Sequence, residues 1–490
     1  WYWNRYPGAR CDSESYSYCY YFSDEILDEW SWKEKYPNQE EIEKYLNFVA
    51  KKLNLFGDIK FGSKVVKMLF NETENNWTIY TSRRTKYKSR FVIAAVGCLS
   101  APNFPNIYGM GTFKGNLYHT AKWPKKKVSF NNQSVGIIGT GATGIQIIPE
   151  IAPRAKKLSI FQRTPNFSVP ARNCPLSEDF IRFTKLNKHK IKEKMLSSRH
   201  GHPFDTNNRS AKSTPPKDRD FIYEKAWKVG GLRFRDESFS DLMLDRVSNE
   251  TACEFLKKKI REIVVDPQNA DDLSSIVHPF AAKRPPIDTN YFETYNRSNV
   301  ELINLKKEPL QRIAQNGIFT KNRFFYLDSI ILATGFDAIT GALSKIDIIG
   351  LDGQTLEKTW AQDPITNLGI QVPGFPNMFL ITGPGSPSVL TNMPRSIEQH
   401  VDWITDCINY CQSNNYSLVE TTREAASNWL TEVQRAADAT LFSDAKDTWY
   451  HGANIPGKPR AFMPYAGGLD NFTRLCDEVV REGYKGFNLR

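Results

Sequence analysis

Three glycines carry the first chemistry legible in this chain. They stand as Gly139-x-Gly141-x-x-Gly144 within "SVGIIGTGATGIQIIPEIA". Glycines at this spacing let a backbone turn tightly and bring its N–H groups against a diphosphate. The motif alone is weak, but here a short β-branched run, Ser134 to Ile138, precedes it and a stretch of helical length follows it. That context predicts the phosphate turn of a dinucleotide site, where a helix N-terminus offers free N–H groups and a positive dipole end. Thr140, Ala142, Thr143 and Gln146 fill the turn and the helix start and are candidate contacts. A second strand follows as "KLSIFQRT", and Arg163 lies 19 residues past Gly144. An acid near that position takes the ribose hydroxyls of NAD. An arginine followed by Thr164 suits instead the additional 2′-phosphate of NADP, which an acid would repel. The bland alternative for Arg163 is a solvated surface cation.

Other segments must position this turn. "YLDSIILATGFD" predicts an apolar strand from Asp328 to Thr334, and "SRFVIAAVGCLSAP" a similar one closing on Gly97. Strands ending in small residues mark where doubly wound sheets let a ligand approach. Two such strands and a glycine turn predict an α/β chain with two dinucleotide-binding, Rossmann-like domains. From 172 to 280 the sequence is charged, helical in period and free of motifs. It predicts a helical insertion, with "STPPKDRD" as a loop inside it.

Composition bounds the rest. The 490 residues hold 40% hydrophobic and 13% aromatic side chains, ample for a large core and against disorder. The charge of +11 comes from basic residues that are scattered or in short runs such as Lys125 to Lys127. With no nucleic-acid motif, these read as solvated faces rather than a nucleic-acid surface. Eight cysteines are too sparse for a disulfide scaffold, and no Cys/His cluster has metal spacing, so no metal is expected. No apolar run is long enough for a membrane span. The expectation is a cytoplasmic, monomeric enzyme.

Two further stretches are more specific. "FKGNLYHTAKWP" places Phe113, Gly115, His119 and Trp123 as FxGxxxHxxxW, and the opening "WYWNRYPGARCD" places Trp1, Tyr6, Pro7, Gly8 and Asp12 as the end of a second signature. Together they resemble the Baeyer–Villiger monooxygenases, the class B flavoprotein monooxygenases, and most of all those that oxidise phenylacetone. The resemblance runs through "KRPPIDTNYFETYNRSNV", "GPGSPSVLTNMPRSIEQHVDW" and "WYHGANIPGKPRAFMPYAGG". It implies an enzyme that takes NADPH, FAD, O₂ and a ketone and returns an ester or lactone through a flavin peroxide. It also implies that the FAD-binding glycine turn precedes the opening signature, so the sequence is expected to lack roughly 50 N-terminal residues of the family pattern. The implied division gives 1–112 and 336–490 to the FAD domain and 113–171 and 281–335 to the NADP domain, with 172–280 as the insertion.

The resemblance also assigns residues. Arg284, in "AAKRPPIDT", is the cation beside the reacting oxygen, and Asp12 is the acid that orients it. Lys283 is a second cation for the 2′-phosphate, and Trp449 reaches the NADP ribose. Trp1, Tyr2, Trp3, Arg10, Cys11, Asp12, Tyr18, Val65 and Met393 are the FAD contacts, and the loop Ser386 to Met393 borders the ketone pocket. His119 is expected to act structurally, on a connector between the domains, rather than as a base. Two rival readings stand: an N- or S-oxidising flavin monooxygenase, against which Trp123 speaks, and a non-catalytic NADP-binding module.

Overall fold

The computed structural model describes all 490 residues. A five-stranded parallel sheet organises one half, in the order Val300–Asn304, Lys157–Gln162, Ser134–Ile138, Ser329–Leu332, Asn116–His119. Its inner strands are buried on both faces through Val135, Ile137, Leu158, Ile160, Ile330 and Ile331. Such continuous apolar runs belong to a parallel sheet covered by helices on either side. The helix Ala142–Ile151 leaves Ser134–Ile138 through the glycine turn and lays Ile145, Ile148 and Ile151 into the core.

The segment expected to be a connector is part of this sheet. Asn116–His119 is its edge strand, in parallel register with Ser329–Leu332. Gly115 is required just before it, because a Cβ there would stand 2.4 Å from the Asp328 carbonyl oxygen. His119 ends the strand with both ring nitrogens engaged. Nδ1 accepts from the Ala121 N–H at 3.1 Å, and Nε2 lies 3.2 Å from the Asn103 carbonyl and 3.3 Å from Thr334 Oγ1. Burial pushes its pKa down, which leaves a neutral ring that pins the strand to the 103 and 334 segments.

Six helices, Glu178–Leu186, Lys188–Leu196, Pro216–Val229, Arg233–Ser238, Arg246–Ile263 and Pro267–Ser274, lie between the third and fourth strands of the sheet in chain order. Tyr223, Phe234, Phe255 and Ile260 from them share one core of 42 buried residues with Ile137 and Ile148. "STPPKDRD" is not all loop, for the helix starts at Pro216. A proline in the first turn gives up an N–H that has no partner there and brings a helical φ.

The other half contributes a shorter parallel pair, Val92–Ala94 with Met378–Leu380, on which Ile93 is 49% exposed. Beside it stands a four-stranded sheet of Asp347–Ile349, Val65–Asn71, Asn76–Thr81 and Lys86–Ser89. The long helix Met393–Ser413 buries Trp403, Ile404, Cys407 and Cys411 against the C-terminal segments. No helix is long and apolar enough to cross a membrane.

Candidate active site

The glycine turn has the shape that its sequence requires. Gly139 has φ +108°, and a Cβ on it would lie 2.5 Å from the Ala333 carbonyl oxygen. A Cβ on Gly144 would lie 2.3 Å from the Gly139 carbonyl oxygen, so this glycine is needed for close packing of helix on strand. Gly141 is different: a Cβ there meets nothing within 4 Å. It caps the helix Ala142–Ile151 with no side-chain acceptor and no acid in the first turn. The first N–H groups therefore face an open cradle suited to an anion. At the end of the next strand Arg163 is exposed and Thr164 half-buried. Neither side chain makes a hydrogen bond or ion pair within the protein, and only the Thr164 carbonyl is used, by Thr140 Oγ1 at 3.5 Å. Lys283, the second cation expected for the 2′-phosphate, is paired with Asp447 at 3.2 Å. The half-buried Trp449 packs against Tyr450 with the rings tilted by 51° and centroids 4.3 Å apart, and its indole N–H has no protein partner.

The opening segment is held on the same helix. Gly8 has φ +80° and lies so close that a Cβ would be 2.4 Å from the Gln146 carbonyl oxygen. Gln146, read from the sequence as a cofactor contact, gives its side chain to this docking. Its Nε2 donates to the Arg10 carbonyl at 3.0 Å, and its Oε1 accepts from the Tyr6 hydroxyl at 2.8 Å. Arg10, another expected contact, is ion-paired with Glu34 and donates to the Tyr36 carbonyl. Trp1 donates to the Tyr18 hydroxyl at 3.3 Å, whereas Tyr2 and Trp3 are exposed. Cys11 is buried, and burial pushes its thiol up to about 12, so it stays a neutral packing group. Val65, on the first strand of the four-stranded sheet, and Met393, at the start of the long helix, are half-buried.

This docking carries Asp12 to Arg284, 272 residues away in sequence. Arg284 Nε lies 3.4 Å from Asp12 Oδ2, Nη1 donates to the Val389 carbonyl at 3.0 Å, and Nη2 makes no hydrogen bond to the protein. Burial disfavours the guanidinium charge, but Asp12, joined by Tyr450 and Cys11, more than offsets it and the net direction is up, so the arginine is a fixed cation. Burial likewise pushes the Asp12 carboxyl up, against the pull of Arg284. The arginine loop is clamped from behind by residues that no motif indicates. Asn249 accepts from the Phe280 N–H at 2.8 Å and donates to the Phe280 carbonyl at 2.9 Å. Ala281 takes φ +65°, an uncommon conformation for alanine that this clamp sustains. Asn166 Nδ2 donates to the Arg284 carbonyl at 3.1 Å.

Three of the fifteen buried side-chain polar atoms without a partner in this chain gather at that arginine: Asp12 Oδ1, Asn166 Oδ1 and Ser388 Oγ. Unmet acceptors beside a fixed cation fit a polar heterocycle bearing N–H groups, such as the flavin ring of FAD. The NADP diphosphate fits the Gly141 cradle. One Gly-x-Gly-x-x-Gly turn occurs in the sequence, and it is this NADP cradle.

Residues 19–192 match a family model described as pyridine nucleotide-disulphide oxidoreductase. A cyclohexanone 1,2-monooxygenase of an Acinetobacter species is 40% identical over 492 residues, spanning 100% of this chain and 90% of that protein. A Baeyer–Villiger monooxygenase of Pseudooceanicola batsensis is 40% identical over 486 residues, spanning 99% of this chain and 88% of that protein. The solved structure of an oxidised steroid monooxygenase bound to NADP superimposes with a TM-score of 0.95 at 43% identity, covering 100% of this chain and 92% of that one. With this similarity running through both signatures, the cradle and the arginine loop, the chain belongs to the Baeyer–Villiger monooxygenase family.

Proposed function

We propose that this chain uses NADPH, FAD and O₂ to insert one oxygen atom beside a ketone carbonyl, giving an ester or lactone. The observation that supports it best is Arg284, a fixed cation oriented by Asp12, with one N–H edge free and unmet acceptors around it. Bound FAD, reduced by NADPH, supplies the activation of O₂. The protein's part is placement and charge. The helix Ala142–Ile151 receives the NADP diphosphate at its N-terminus, and Arg163 and Thr164 take the 2′-phosphate. Lys283 joins them by exchanging Asp447, which is 73% exposed, for the phosphate. Trp449 offers its indole N–H to the ribose, and Asp12, Tyr18, Val65 and Met393 border the flavin.

Arg284 Nη2 faces the place where negative charge develops on oxygen during transfer. A preorganised cation in a partly dry site lowers the cost of that charge without reorganisation at the moment of reaction. Arginine suits the role because it keeps its proton, and Asp12 and the Val389 carbonyl fix the plane of its fork. The loop Ser386 to Met393 brings the ketone to this edge. We read 1–112 with 336–490 as the FAD domain, 113–171 with 281–335 as the NADP domain and 172–280 as the insertion. The eight cysteines are all free, which supports a reducing, cytoplasmic setting, and we read the protein as a monomer. The test is NADPH consumption with linear, cyclic and aryl ketones and detection of the ester. Oxidation of amines or sulfides with ketones untouched would favour the N- or S-oxidising reading.

A further inference from the structure

His202 is 4% exposed, in the loop between the helices Lys188–Leu196 and Pro216–Val229. Its ring lies flat on Phe204, with centroids 5.0 Å apart and planes 4° apart. Neither ring nitrogen bonds to the protein, and Nδ1 is fully enclosed. The polar groups nearby are already committed. Asp236 Oδ1 takes His200 Nδ1 at 3.1 Å and Arg235 Nε at 2.6 Å, and Oδ2 takes Arg235 Nη2 at 3.1 Å. Arg199 Nη2 donates to the Ala466 carbonyl at 2.6 Å. The loop is held close to the segment before the long helix. The Asn392 N–H holds the His200 carbonyl at 2.8 Å, and a Cβ on Gly201 would come within 3.3 Å of Asn392 Cβ. Arg284 is anchored to the same short segment through the Val389 carbonyl. Burial, joined by Arg235 and Arg284 against the pull of Asp236, pushes the imidazole pKa down to about 3. The ring is therefore neutral, with one donor and one acceptor. Enclosing Nδ1 with no protein partner is costly unless a bound molecule completes it.

We propose that His202 is a reactant-binding residue, its neutral ring hydrogen-bonding an amide or carbonyl group of a molecule held beside Arg284. This rests on the oxygenation reading above. The shared chemistry has two sources, the carboxamide of the nicotinamide and the ketone, and the test separates them. The wild type, His202→Phe and His202→Asn are titrated with NADP⁺ and with 2′,5′-ADP, which lacks the nicotinamide. kcat/KM for ketone is then measured at saturating NADPH. Phenylalanine keeps an aromatic ring against Phe204 and removes both nitrogens.

If the carboxamide is the partner, His202→Phe weakens NADP⁺ at least tenfold and leaves 2′,5′-ADP unchanged. If the ketone is the partner, NADP⁺ is unchanged and kcat/KM for ketone falls at least tenfold, with asparagine restoring part of it. Unchanged values in both arms overturn the proposal. Equal loss of NADP⁺ and 2′,5′-ADP together with a lowered Tm also overturns it, by making His202 structural. A wild type that neither binds NADP⁺ nor oxygenates a ketone would instead bring down the oxygenation reading, and this proposal with it.

Discussion

Replacing Arg163 by alanine isolates the 2′-phosphate reading. The side chain is exposed and makes no bond within the protein, so its removal breaks nothing internal and Tm should stay within about 1 °C. Its expected contribution is one charge-assisted hydrogen bond, about 1.5–3 kcal/mol. That converts to a rise of about 10- to 150-fold in the NADP⁺ Kd. NAD⁺, without the phosphate, should bind with unchanged affinity. Lys283 bounds the effect from the other side. Its pair with Asp447 at 3.2 Å must open for the lysine to reach the phosphate. A partly exposed pair of this kind is worth about 0–1 kcal/mol. Asp447→Asn should therefore tighten NADP⁺ up to about fivefold. Titration calorimetry with NADP⁺ and NAD⁺ on the wild type and both variants checks each number. An unchanged NADP⁺-to-NAD⁺ ratio in Arg163→Ala would refute the assignment of the phosphate to this strand end.

Other expectations follow from the same geometry. Arg284→Ala should leave NADPH oxidation measurable while ester formation falls about 100- to 1,000-fold, with Arg284→Lys recovering part of it, as read by gas chromatography of the product. Gly144→Ala, whose Cβ would meet the Gly139 carbonyl oxygen at 2.3 Å, should cost about 2–3 kcal/mol in denaturant unfolding and weaken NADP⁺ binding as well. Asp288 is buried, and burial pushes its carboxyl up to about 6 from 3.8. Between these values the native state holds a proton that the unfolded chain has lost, so stability falls as pH rises and the penalty is complete above the folded pKa. Asp288→Asn should flatten that slope, worth about 3 kcal/mol between acid and neutral pH, and matching wild-type and variant slopes would contradict it.

What could be read in the sequence was mostly what lies close together in it. Gly139, Gly141 and Gly144 sit between their own strand and helix, so local spacing carries the turn and its anion cradle. Asp12 and Arg284 are far apart in the chain, and only family resemblance pairs them. The docking of Gly8 and Tyr6 onto Gln146 makes that contact geometrically clear. Gln146 stands beside the glycines, which suggests a cofactor contact, and its amide also holds the opening segment, which no local spacing indicates. Asn249 and Asn166 left no signal, since a single buried asparagine on a helix or strand end looks like any capping residue. The motif around His119 looks like a connector in sequence because its strand is short and finds its partner more than 200 residues later, at Ser329–Leu332.

The most direct test of the central claim is turnover under ¹⁸O₂ with NADPH and a simple cyclic ketone, normalised to protein-bound flavin, for wild type and Arg284→Ala. The account predicts a lactone carrying one ¹⁸O atom from the wild type, and NADPH oxidation without lactone from the variant. Lactone formed at equal rates by both, or unlabelled lactone from the wild type, would contradict it.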